Sequence, residues 1–138
     1  REAVELVSEQ LKAAGARRVV MLPVSGAFHS PLMQPASDRL AEEFDRVSFV
    51  EPLVPVVSNV DALPHKSAEQ LKQNLRAQMT GSVRWTETVR SIITYGVDAI
   101  VEVGPGAVLS GIIKRIDKGI PCYNVATAAD VEKLLAEG

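Results

Sequence analysis

The chain of 138 residues is 46% hydrophobic and 23% charged, the makeup of one ordinary globular domain rather than of a disordered or fibrous chain. A formal net charge of -2 with no local cluster of Lys and Arg argues against a nucleic-acid partner. The longest apolar runs, such as 19–24 and 99–103, fall far short of the roughly 20 residues a membrane helix needs.

Val4, Val7 and Leu11 recur at helical spacing over residues 2–14, with Gly15 as the stop. Residues 18–24 form a β-branched apolar run that suits a buried strand ending near Pro23. The loop from Ser25 leads into a helix with Ser30 as its cap, Pro31 at the first helical position, and Met33, Ala36, Leu40 and Phe44 on its apolar face. Val54, Val56 and Val57 mark a second strand. Ser67 and Gln70 have capping-box spacing ahead of a third helix carrying Leu71, Leu75 and Met79. Trp85, Val89, Ile92 and Ile93 mark a fourth, stopped by Gly96, and residues 99–103 read as another apolar strand turned by Gly104-Pro105-Gly106. A helix with Val108, Leu109, Ile112, Ile113 and Ile116 follows, then a strand over 122–125, then a last helix with Thr127 as its cap. Apolar strands alternating with helices predict an α/β fold with a mostly parallel sheet covered on both faces. A composition break over 24–30 separates a small flanking unit from the main sheet.

His29 sits between a strand end and a helix cap, where loop residues of α/β folds face the crevice beyond the strand ends. A neutral imidazole there suits a general base, although a loop histidine alone is more often a surface or structural residue. The other histidine, His65, follows Pro64 in a polar loop and reads as solvated. A base of this kind calls for a serine on a G-x-S-x-G turn. The sequence has no such motif, and neither Ser25 nor Ser30 lies in one. Two distant histidines and one cysteine make no credible metal site. Cys122 lies in an apolar run and reads as packing; with no second cysteine there is no disulfide, which fits a reducing cytoplasm. Gly104-Pro105-Gly106 could present backbone N–H groups to an anion, or simply make a tight strand-to-helix turn. Asn59 and Asp61 read as turn formers and Gln78 as solvated helix surface.

Four blocks in order, residues 22–33 around Phe28-His29-Ser30-Pro31, then Val56-Val57-Ser58-Asn59-Val60-Asp61, then Val83-Arg84-Trp85, then Glu102-Val103-Gly104-Pro105-Gly106-Ala107-Val108-Leu109, resemble the acyltransferases that load malonyl groups onto acyl carrier protein. The likeness covers nearly the whole chain. It implies that a serine, activated by a histidine matching His29, takes malonyl from malonyl-CoA and passes it to the phosphopantetheine thiol of the carrier protein. No cofactor is implied beyond these substrates. Gln78 would orient the histidine, and Phe28 and Asn59 would line the substrate pocket. Phe28 matches a position where related polyketide acyltransferases with malonyl preference often carry phenylalanine; the plain alternative is a core residue.

The resemblance further implies the C-terminal part of an α/β-hydrolase-like core over residues 25–138, with residues 1–24 as the tail of a small ferredoxin-like subdomain. The chain opens inside a helix, so a truncation that leaves the nucleophile, the malonyl-binding arginine and the oxyanion donors upstream is expected. Such a chain would be inactive alone, would expose apolar edges, and would take the missing N-terminal segment as a partner alongside acyl carrier protein and malonyl-CoA. Two other readings are a noncatalytic α/β module that binds acyl carrier protein or acyl-CoA, and an acyltransferase fragment of a polyketide synthase.

Overall fold

The computed structural model describes residues 2–21, 23–24 and 26–137; Arg1, Leu22, Ser25 and Gly138 lie outside the described residues. The helices form where the apolar spacing predicts them. Helix α1 spans Glu2–Ala13, and the chain leaves it through Gly15 at φ +90°, a left-handed turn that glycine makes without a Cβ penalty. A 3₁₀ turn, Pro31–Met33, runs straight into α2, Gln34–Arg46. Helix α3, Ala68–Gln78, starts at Ser67, whose hydroxyl accepts from the Gln70 amide. Only half of the expected capping box forms, because the Gln70 side chain turns to Asn74 instead. Helix α4 spans Trp85–Thr94, α5 Val108–Ile116 and α6 Ala128–Glu137. Thr127 caps α6 reciprocally with Asp130, whose carboxylate accepts from the Thr127 amide at 2.8 Å.

The strands depart further from expectation. The two-residue strands β1, Val56–Val57, and β2, Pro64–His65, pair antiparallel. The parallel sheet is a single pair, β3, Ile100–Val103, with β4, Cys122–Val125, in the register Ile100↔Cys122 to Val103↔Val125. Helix α5 is the crossover between them and packs on β4, as does α6 on the same strand. The α/β class therefore stands, but the run over 18–24 is no strand among its described residues, which find no ladder partner in this chain.

Two packed units result. Helices α2 and α3 lie together, tied by Lys72 and Arg76 of α3 to Asp45 of α2, and α4 packs on both β1 and α5. Among the described residues the buried apolar side chains are Ala62, Val89, Ile113 and Val125, a core strung from the 58–62 turn through α4 and α5 to β4. It is a small core. The chain exposes 10344 Å², against roughly 7,000 Å² expected for a compact 14.8 kDa protein. The expected uncovered apolar surface is present: Leu53 is 99% and Val103 81% exposed, and α1 has no buried residue.

Candidate functional site

His29 is placed by a tight turn. The Ser30 hydroxyl donates to the Ala27 carbonyl at 2.6 Å, and the Met33 amide donates to the Ser30 carbonyl at 3.0 Å. The serine hydroxyl is thus spent on the loop backbone instead of capping the helix, and it does not reach the imidazole. Between these constraints His29 adopts φ +60°, a left-handed conformation unusual for a side chain with a Cβ.

The ring reaches α3. His29 Nδ1 lies 2.9 Å from the Gln78 carbonyl oxygen. Gln78 ends its helix, so its carbonyl is among those left without an intrahelical donor and sits at the negative end of the helix dipole. A carbonyl can only accept, so Nδ1 carries the proton, which in the neutral ring leaves the lone pair on Nε2. The Gln78 side-chain amide also comes within 3.4 Å of Nδ1, but it too is a donor and cannot bond a protonated nitrogen. It donates instead to the Gly81 carbonyl at 3.0 Å and approaches the Ser82 carbonyl at 3.4 Å. Gly81 is required there: a Cβ would stand 2.8 Å from the Ala77 carbonyl oxygen, inside contact distance. The sequence expectation of Gln78 as plain surface gives way to this double role, with backbone holding the ring and side chain holding the next turn.

The two pocket residues expected beside His29 fare differently. Phe28 is 58% exposed in this chain, and its ring lies over Gly26, where an added Cβ would meet it at 3.2 Å. Asn59 is half-buried and joined to the region through its backbone, its carbonyl accepting from the Arg84 amide at 2.8 Å.

His65 is not the solvated loop residue the sequence suggests. It lies in β2 with its side chain 15% exposed, and Nε2 donates to Asp61 Oδ2 at 2.8 Å. Partial burial pulls the Asp61 pKa up, but the Leu63 amide, the His65 ring and the Asn74 amide outweigh it and hold the carboxyl below its usual value. The Pro64-His65 strand makes this contact by folding back on β1, and no local pattern announces it.

The Gly104-Pro105-Gly106 turn also resolves to one of its two readings. Gly104 and Gly106 take φ +138° and +88°, and two of the N-terminal amides of α5 are already occupied. Glu102 accepts from the Leu109 amide at 3.1 Å, the Ser110 amide at 2.8 Å and the Ser110 hydroxyl. The anion at this helix start is the chain's own carboxylate. Among the described residues no group of three or more His, Cys, Asp or Glu could hold a metal ion, and no helix is long and apolar enough to cross a membrane.

No family model matches the chain. It is similar to malonyl CoA-acyl carrier protein transacylases from Salmonella typhimurium, 46% identical over 84% of this chain and 38% of the relative, and from Bacillus subtilis, 39% identical over 94% and 41%. Among solved structures, an acyl-carrier-protein S-malonyltransferase from Bartonella henselae superposes with a TM-score of 0.90 at 40% identity, covering 99% of this chain and 43% of that one. A chain from the complex of a type II PKS acyl-carrier protein with its malonyl-transacylase gives 0.92 at 41% identity, covering 100% and 45%. The chain thus spans about two fifths of the length of the proteins it matches.

Proposed function

With a chain homologous over most of its length to the malonyl CoA-acyl carrier protein transacylases as the premise, we propose that it supplies the general base and part of the pocket of a malonyl transferase. The observation that carries this reading is the bond from His29 Nδ1 to the Gln78 carbonyl, which leaves Nε2 of an exposed ring free to accept a proton. Nε2 takes the proton of a serine hydroxyl as that oxygen attacks the thioester carbonyl of malonyl-CoA. The C–S bond breaks, and the departing thiolate takes the proton back from the imidazolium. The phosphopantetheine thiol of acyl carrier protein then gives its proton to Nε2 and attacks the malonyl-serine ester; the C–O bond breaks, the departing serine oxygen takes the proton back from the imidazolium, and malonyl leaves on the carrier thiol. The serine would come from the part of the relatives' length that this chain does not span, so the chain alone would be inert. Phe28, beside the base, would crowd the α-carbon of a branched extender, a discrimination of about 1 to 3 kcal/mol per methyl.

The test is a chimera in which these residues replace the matching segment of the Salmonella typhimurium relative, assayed for malonyl transfer to phosphopantetheinylated acyl carrier protein. Activity should appear and fall about a hundredfold to ten-thousandfold with His29→Ala. A chimera as active with alanine as with histidine would remove His29 from the mechanism. The isolated chain incubated with malonyl-CoA should gain no mass; an adduct on it would place the nucleophile among its own residues.

A further inference from the structure

Asp61 is bonded from three directions. Its Oδ1 accepts from the Leu63 amide at 3.0 Å, its Oδ2 from His65 Nε2 at 2.8 Å and Asn74 Nδ2 at 3.0 Å, and its backbone carbonyl from Arg84 Nη1 at 3.1 Å. Asn74 is buried on α3, four residues before Gln78 and so on the same face. Its amide oxygen is taken by Gln70 Nε2 at 2.9 Å, which fixes its rotamer. Arg84 closes the circuit from the other side, its amide donating to the Asn59 carbonyl at 2.8 Å. Along the chain between Asn74 and Arg84 lie Gln78, whose carbonyl holds the His29 ring, and the Gly81–Ser82 turn that the Gln78 side chain bonds. Asp61, Asn74, the end of α3, the 81–84 loop and Arg84 therefore form a closed ring of bonds, with the imidazole hung on one member.

We propose that Asp61 is a positioning residue for His29: by tying Asn74 and Arg84 to the 58–62 turn, it holds the last turn of α3 where the Gln78 carbonyl meets Nδ1. A carboxylate is needed because every side-chain partner is a donor. An amide of the same shape would press its own N–H against either the Leu63 amide, at the Oδ1 position, or both the His65 ring and the Asn74 amide, at the Oδ2 position. This inference rests on reading His29 as a base, yet its test reads the ring directly and uses no activity.

The experiment is long-range ¹H–¹⁵N NMR of the His29 imidazole in the labelled chain, at a pH where the ring is neutral, to give the ratio of the two tautomers. The wild-type ring should be predominantly protonated on Nδ1. Asp61→Asn and Arg84→Ala should each move the ratio toward the Nε2–H form by about fivefold, the effect of losing one hydrogen bond of ordinary strength. Arg84 is exposed, so its truncation leaves the fold intact and carries the test even where Asp61→Asn does not fold. Ile113→Ala, which loosens the β3–α5–β4 unit without touching the ring of bonds, should leave the ratio alone. An unchanged ratio in the folded variants, or an equal shift with Ile113→Ala, overturns the positioning role and leaves the base assignment standing. A wild-type ring protonated on Nε2 overturns both.

Discussion

A left-handed backbone costs a residue with a Cβ about 1–2 kcal/mol, and His29 pays it at φ +60°. The conformation is over-determined by the Ser30 hydroxyl behind it and the Gln78 carbonyl ahead of it. The strain sits on the residue the chemistry would use, a common price of holding a side chain in a working geometry. Comparing His29→Gly with His29→Ala separates backbone from side chain, since both lose the ring. Glycine should be the more stable by about 1 kcal/mol in urea denaturation; equal midpoints would mean that the loop relaxes without cost. The place of His29 in a loop just ahead of a helix was legible in the sequence, because Ser30-Pro31 marks the helix start. The role of the Gln78 backbone was not, since a carbonyl carries no residue signature.

At the level of elements, the helices were readable because their signals are local. Ser67 and Thr127 cap, Gly15 and Gly96 stop, and the apolar spacing between them sets the buried face. Strands need partners, and the partners here are distant or lacking. The run over 18–24 has strand composition and, among its described residues, no ladder partner, while the polar Pro64-His65 pair becomes β2 because β1 lies beside it. Glu102 is a second long-range case, a strand residue that caps a helix seven and eight positions later. The Ser110 hydroxyl and then its amide hold the Glu102 carboxyl below its ordinary value of 4.5, against a smaller pull from desolvation. A carboxyl whose folded pKa is depressed stabilises the fold above its unfolded value, and that contribution is lost as pH falls through the folded one. Wild type should therefore melt above Glu102→Gln at neutral pH, and the gap should close in acid below the ordinary value. A gap that persists undiminished to about pH 3 would mean that the cap does not depend on charge.

For the whole molecule, the exposed area exceeds that of a compact protein of its mass by on the order of 3,000 Å², several times the roughly 800 Å² that one partner buries in a standard interface. Val101 and Val103 of β3, Val108 of α5 and the 47–56 segment contribute large apolar side chains to it. The isolated chain should bind a hydrophobic dye such as ANS under native conditions, and a segment of the relatives that covers these faces should displace the dye. No dye binding would mean that the chain covers them by itself, through self-association or collapse. The same surface shapes the thermodynamics of unfolding. Apolar groups already hydrated in the folded chain add nothing new on denaturation, so its heat capacity of unfolding should fall below the usual 12–15 cal/mol/K or so per residue. The stability curve is then broad and shallow, and the missing heat capacity should reappear as a negative increment when the covering surface binds.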